Sequence, residues 1–379
     1  MNFSWNEEQK ELKDAAIKFA KSKLEEGVIE LDRNGEFSRK GWAACSEFGL
    51  QGILIPEAYG GMGLNALDFT AIMEGIGNGS RDNGLIFSVN AHILACEMPI
   101  LHYGTDEQKQ KYLPGLVNGK IIGANAMTEP DTGSNVYALQ TKATKEKDYY
   151  ILNGSKTFVT NAPVSDMFIV YAKTDTSKSF FGVSCFIVER NTKGFTVGNK
   201  IEKMGLRTSL MSDIAFNDCK VPRSNMIGGE NQGGIIFSDS MEWERGLIMS
   251  NCIGNMERQL QECIKYVKVR KIDKQPIGKY QSVANKISEM KVRLETSRLL
   301  LYQTAWLKSN KRPAAIESSI TKLHISESYI QNCRDAVQIF GGYGYMVEYE
   351  LERELRDAFA STLYSGTSEI QKNIISSLL

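Results

Sequence analysis

Apolar residues recur at helical spacing through the first third of the chain. Leu12, Ala16, Phe19, Ala20 and Lys23 share one stripe of a segment that Ser4 and Glu7 would open as a capping box. Loops such as PEAYGGMG (56–63) punctuate this texture, which predicts helix to about residue 123. The pattern then changes. DYYILNGSKTFVT sets Asn-Gly between two runs rich in β-branched and aromatic residues, a hairpin signal. MFIVYAK, FFGVSCFIVER and DIAFNDCKV continue in that style, so residues 124–232 read as a β-domain. From Gly233 helical periodicity returns over long stretches. MEWERGLIMSNCIGNMERQLQECIKYVKVRK reads as one helix and YQSVANKISEMKVRLETSRLLLYQTAWLKS as a second. A third starts after Pro313 and runs to Phe340, with shorter helices behind it. Long amphipathic helices of similar length pack as bundles. The predicted fold is α+β: an N-terminal α-helical domain (1–123), a central β-barrel-like domain (124–232) and a C-terminal four-helix bundle (233–379).

Composition narrows the function classes. The chain has 379 residues, 42% hydrophobic and 24% charged, with equal numbers of acidic and basic residues. Zero net charge argues against nucleic acid or an anionic membrane as the main partner. No apolar run reads as a membrane span of roughly 18 residues, and MNFSWNEEQK lacks the regions of a signal peptide. Seven cysteines without a CxxC pair read as reduced thiols of a cytoplasmic protein. The three histidines, His92, His102 and His324, lack metal-ligand spacing, so no metal site is expected.

The chemistry lies in short motifs. They are YGTDEQKQKYLP (103–114), MTEPDTGSN (127–135), KTFVTNA (156–162), KMGLRTS (203–209), QIFGGYGY (338–345) and YSGTSEIQ (364–371). Gly133 and Ser134 give a tight turn with a hydroxyl and backbone amides, suited to a pyrophosphate or simply to a β-turn. Taken together and in order, the six motifs resemble the acyl-CoA dehydrogenase family of flavoproteins over nearly the whole chain.

The resemblance implies FAD as cofactor. Met127, Thr128 and Thr160 match residues at the isoalloxazine ring, and Gly133 and Ser134 the phosphate turn. Phe158 stands where the family usually carries tryptophan against that ring. Gln338, Gly341 and Gly342 match the loop that reaches FAD from a neighbouring subunit, which implies a homo-oligomer, expected as a tetramer. Thr367 and Glu369 match the turn that holds the cofactor from the C-terminal side. Arg270 matches the family's Arg-x-x-Phe-Gly, but Asp273 and Lys274 replace Phe-Gly. An electron-transfer flavoprotein is the electron acceptor the resemblance implies.

The family reaction is α,β-dehydrogenation of an acyl thioester. A base takes the α-proton while a hydride leaves the β-carbon for the flavin. Such an α C–H needs a desolvated carboxylate of raised pKa. Many members place a glutamate in the C-terminal Tyr-Glu-Gly-Thr turn, where this chain has Ser365. A serine hydroxyl alone cannot serve, and no histidine lies nearby in sequence to activate it. A minority of the family, including relatives of isovaleryl-CoA dehydrogenase, carries the base in a Glu-Arg pair on the first bundle helix. SMEWERG (240–246) supplies Glu244 before Arg245. Glu242 competes, but residues two apart on a helix point about 200° apart, so only one can face the flavin. The motif register assigns Glu244 as catalytic base. Ser134, Arg245, Tyr364, Ser365 and Gly366 are then expected at the substrate, with Arg245 on its pantetheine or phosphate end or in a plain salt bridge. The carrier of the acyl group stays open between coenzyme A and an acyl or peptidyl carrier protein. The pairing of SMEWER with LYSGTSEIQ resembles members of natural-product pathways that oxidise carrier-tethered aminoacyl groups, prolyl included. Two other readings remain: a non-catalytic acyl-thioester-binding protein on the same scaffold, or a flavin oxidase.

Overall fold

The computed structural model describes residues 5–379. The chain opens with α1 (Glu7–Lys23), α2 (Val28–Asn34), α3 (Arg39–Glu47), α4 (Ala66–Gly79), α5 (Asn83–His92), α6 (Met98–Tyr103) and α7 (Asp106–Val117). The expected Ser4 cap lies outside the described residues. Asn6 and Gln9 form a capping box at the start of α1 instead. Ala16 and Ala20 are buried, with Leu12 and Phe19 packed against the core, whereas Lys23 is exposed.

A π-helical turn, Ile93–Glu97, joins α5 to α6, making one helical stretch from Asn83 to Tyr103. By length and hydropathy this stretch is apolar enough to cross a membrane, which the sequence reading had not found in any segment. It is instead a core element: 83% of its most apolar window is buried inside the fold.

The middle of the chain is one mixed sheet. Its strands are β1 (Gly123–Ala126), β2 (Lys142–Lys145), β3 (Tyr149–Thr160), β4 (Met167–Lys173), β5 (Val183–Glu189), β6 (Phe195–Lys200), β7 (Met211–Pro222) and β8 (Met226–Ile227). They are ordered β6-β7-β3-β2-β4-β5-β8, with β1 parallel to β4. The path runs from β6 to β8 without closing. Met167 to Ala172 are buried throughout, as expected of a strand covered on both faces.

The Asn-Gly hairpin is a correction. Asn153 and Gly154 lie inside the continuous strand β3, where the register against β7 slips between Leu152 and Gly154. Gly154 takes φ +144°, and a Cβ there would stand 2.7 Å from Thr141 Oγ1. The side-chain amide of Asn153 donates to Asp218, and the Asp218 N–H donates back. The dipeptide is therefore spent on a bulge rather than a turn.

The helical part begins with α8 (Gly233–Leu247) and α9 (Ser250–Val269). The sequence reading took these as one helix. The helix is interrupted by a turn at Ile248–Met249, and the Ser250 hydroxyl donates to the Leu247 carbonyl across it. A short hairpin, β9 (Lys271–Ile272) and β10 (Gln275–Pro276), follows, with Asp273 and Lys274 at its tip. Both tip residues have positive φ, 48° and 68°, the backbone of a two-residue hairpin turn made without glycine. Then come α10 (Gln281–Ser309), α11 (Ala315–Phe340), α12 (Leu351–Ala360) and α13 (Ser368–Ser377).

Helical layers approach closely where glycine allows it. A Cβ on Gly77 of α4 would meet the Asn251 carbonyl of α9 at 1.9 Å. Buried Glu74 accepts from Lys13 (2.7 Å), Arg298 (2.7 Å) and Tyr302 (2.7 Å), clamping α1, α4 and α10 together. All seven cysteines are free and buried.

Candidate active site

Glu244 lies on the buried side of α8 and is 9% exposed. The Ser365 hydroxyl donates to its Oε1, and Oε2 takes no hydrogen bond from the described residues. Burial pushes the Glu244 carboxyl above the ordinary carboxylate value, against the pull of the Ser365 hydroxyl and of the Arg245 and Lys322 charges. Glu242 points elsewhere. It accepts from Lys308 Nζ at 2.8 Å and from the Ala314 N–H at 3.3 Å, closing the loop between α10 and α11.

The turn that faces Glu244 is held by its carbonyls. Ser365 and Gly366 have φ of +56° and +91°. Arg245 Nε donates to the Ser365 carbonyl (3.2 Å), and Gln371 Nε2 donates to the carbonyls of Ser365 (3.1 Å) and Gly366 (2.8 Å). Lys322, fully buried on α11, donates to the Gly366 carbonyl at 2.7 Å. Burial, reinforced by the Arg245 charge, pushes the Lys322 ammonium down to about 8. Thr367 caps α13 by accepting the Ile370 N–H (3.4 Å), and Glu369 is exposed in the first turn.

Two residues at this turn have partners within the chain. Arg245 is directed onto the Ser365 carbonyl, and no salt bridge joins it to a carboxylate among the described residues. Tyr364, half-buried, packs its ring on Phe87 (4.6 Å between centroids), and its hydroxyl reaches Met249 Sδ (3.4 Å).

A second group gathers on the sheet. Met127 is buried and follows β1; Thr128 is half-buried. Phe158 sits at a register shift in β3 between Lys156 and Val159, with φ +55° and 60% of its surface exposed. Thr160 ends the same strand. The hydroxyls of Thr128, Ser134 and Thr160 take no partner among the described residues, and a Cβ on Gly133 would meet nothing within 4 Å. A planar apolar face, uncommitted hydroxyls and an open glycine turn fit a flavin and its phosphates. Helix α5 bridges the two groups: Phe87 touches Tyr364, and the Ser88 carbonyl accepts from Asn161 Nδ2 at 3.0 Å.

Sequence reasoning missed the support beneath this face. Lys156 Nζ donates to Glu129 Oε1 (2.8 Å) and to the Met127 carbonyl (3.1 Å). Glu129 also takes the backbone N–H groups of Gln140 (2.6 Å) and Thr141 (2.9 Å). This buried pair ties the MTEP loop to β3. The signal was present, since each residue lies inside one of the quoted motifs.

Arg270, Gln338, Gly341 and Gly342 form a third, exposed group. Arg270 lies over the Tyr343 ring at 5.7 Å. A Cβ on Gly341 or Gly342 would meet nothing within 4 Å. Gln338 stands 16 residues beyond Lys322 on α11, about 24 Å at 1.5 Å per residue. The structure therefore does not bring this group to the Glu244 turn of the same chain.

Models of the N-terminal, middle and C-terminal domains of acyl-CoA dehydrogenase match residues 6–120, 124–219 and 231–379. The chain belongs to the acyl-CoA dehydrogenase family. As a member it is an FAD-dependent oxidoreductase with that family's fold. It is 41% identical to an L-prolyl-[peptidyl-carrier protein] dehydrogenase of Serratia sp. (strain ATCC 39006), over 99% of this chain and 97% of the relative. It is similar to the crystal structure of the prolyl acyl carrier protein oxidase AnaB, with TM-score 0.98, 47% identity and 99% of both chains covered. It is also similar to PigA solved with FAD and proline, with TM-score 0.98 and 40% identity, covering 100% of this chain and 99% of that one.

Proposed function

We propose that this member dehydrogenates an aminoacyl thioester, prolyl foremost, tethered to a carrier protein, with Glu244 as the base that takes the α-proton. The single observation that carries the base assignment is the buried Glu244 carboxylate hydrogen-bonded by Ser365. The carboxylate lies against the turn where other members carry it, while Glu242 is engaged by Lys308. Burial raises its proton affinity above that of an ordinary carboxylate, the direction that abstraction beside a thioester requires. Oε1 is fixed by the Ser365 hydroxyl, which leaves Oε2 to receive the proton. Arg245, Gln371 and Lys322 position the turn through its carbonyls.

When bound, FAD supplies the two-electron acceptor for hydride from the β-carbon. Met127, Thr128, Gly133, Ser134, Phe158 and Thr160 hold it in one subunit, with Thr367 and Glu369 at the C-terminal turn. Arg270, Gln338, Gly341 and Gly342 serve a neighbouring copy in a homotetramer. Exposed Val292, Leu299 and Trp306 recur every seventh residue on α10, an apolar stripe suited to a further subunit contact. The electron acceptor is an electron-transfer flavoprotein. The three domains carry the boundaries given above, 1–123, 124–232 and 233–379.

The likeness to prolyl-carrier-protein enzymes supports the tethered substrate over free coenzyme A thioesters. Anaerobic titration of the FAD-loaded protein tests this. Prolyl-carrier protein bleaches the visible flavin band at stoichiometric addition, and butyryl- or isovaleryl-CoA does not. Bleaching by the coenzyme A thioesters alone overturns the substrate assignment. Binding of every thioester without bleaching overturns the dehydrogenase reading in favour of a binding protein.

A further inference from the structure

We infer that the surface formed by the loop 173–182, the segment Val136–Ala138 and the start of α8 is the docking site for an acidic carrier protein, an inference that rests on the carrier-tethered reading above. Two large apolar side chains stand out from the fold there: Phe181, 76% exposed, and Ile235, 63% exposed. They sit on elements that touch. The turn Ser179–Gly182 packs against both α8 and Val136–Ala138. Thr174 Oγ1 donates to Asn231 Oδ1 at 2.9 Å, fastening the loop to the segment that leads into α8.

The charge around these anchors is positive, although the whole chain is neutral. Lys142, Lys145, Lys173 and Lys178 lie on the strands and loop beside them, with Asp175 and Glu230 as the carboxylates that pair with two of them. Lys145 pairs with Glu230, and Lys178 with Asp175. Lys142 and Lys173 have no ion pair among the described residues, yet they are direct partners across β2 and β4. Like charges set opposite each other on adjacent strands repel. An acidic partner would relieve that repulsion, and an apolar anchor ringed by charge is the usual anatomy of a docking patch.

The position also suits delivery. Val136 follows Ser134, one of the uncommitted hydroxyls, by two residues. Ile235 and Glu244 share α8, nine residues apart, about 14 Å along the axis. A carrier seated on Phe181 and Ile235 thus rests where one segment leads to Ser134 and α8 leads to the base, and a flexible thioester arm covers the remaining distance.

The test uses FAD-loaded protein with Phe181→Ser, the pair Lys142→Glu/Lys173→Glu, and the wild type. A phosphopantetheinylated peptidyl carrier protein is titrated to obtain Kd. Steady-state rates are then measured with prolyl-carrier protein, prolyl-pantetheine and a coenzyme A thioester. Docking at this surface weakens carrier binding and raises KM for prolyl-carrier protein about tenfold, the scale of a lost interface anchor. Flavin content and kcat/KM for prolyl-pantetheine stay as in the wild type. Carrier Kd within twofold of wild type in both variants overturns the site. An equal rise in KM for the coenzyme A thioester also overturns it, by making the patch a nucleotide-phosphate site. Wild type that binds carrier through these residues yet oxidises no prolyl thioester leaves the docking site standing and removes the substrate reading instead.

Discussion

The hydroxyl of Ser365 donates its hydrogen bond to Oε1 of Glu244 across the space between the C-terminal turn and α8. Serine is small enough to leave the α8 carboxylate room, and it supplies a donor that favours the ionised form. The same turn is fixed from behind by Arg245, Gln371 and Lys322.

Removing that donor changes the pH dependence. The Glu244 carboxyl lies above its ordinary value because of burial, and Ser365 pulls it down. A base works deprotonated, so flavin reduction rises with pH through the Glu244 pKa. Ser365→Ala removes the downward pull and moves this acidic limb to higher pH, with the plateau rate retained. Stopped-flow reduction across pH 5 to 9 measures the shift; an unmoved limb would mean that the hydroxyl does not sense the base.

Lys322 makes a prediction about stability. Its ammonium is pushed down to about 8 from 10.5, so between those values the unfolded chain binds more protons than the folded one. Stability from this group therefore rises with pH from about 8 toward 10.5, and the cost of burying the charge is fully present below 8. Lys322→Met removes that contribution. Urea unfolding at several pH values should show a wild-type slope steeper than the variant's in this window; parallel slopes would contradict the depressed pKa.

Much of this organisation is legible in the sequence because it rests on periodicity and on motifs local in the chain. The helix-sheet-helix order, the long helices α10 and α11 and the placement of Glu244 follow from such patterns. What was not legible depends on partners far apart in sequence. Asn153-Gly154 has hairpin chemistry, yet pairing with β7 holds it inside a strand as a bulge. The hairpin that does form turns on Asp273-Lys274, which lack the expected glycine. Arg245 could not be assigned to the Ser365 carbonyl, 120 residues away, from spacing alone. The core position of Asn83–Tyr103 likewise depends on what packs around it.

The Glu129–Lys156 pair supports the cofactor face from beneath. Breaking a buried pair by removing one partner costs about 3 to 5 kcal/mol. Glu129→Ala strands Lys156 and frees the Met127–Thr132 loop. The expected outcome is a loss of that size in chemical denaturation, together with weaker FAD retention on gel filtration. Unchanged stability would show that the pair contributes little beyond its own desolvation.

The proposed reaction turns on which carboxylate takes the α-proton. The deciding measurement is the rate of flavin bleaching under anaerobic stopped flow with prolyl-carrier protein, for wild type, Glu244→Gln and Glu242→Gln. Loss of a positioned base lowers such a step roughly 100- to 10,000-fold. The expected result is a fall of that size in Glu244→Gln with FAD still bound, and a rate near wild type in Glu242→Gln. Bleaching that survives in Glu244→Gln, or that collapses only in Glu242→Gln, would contradict it.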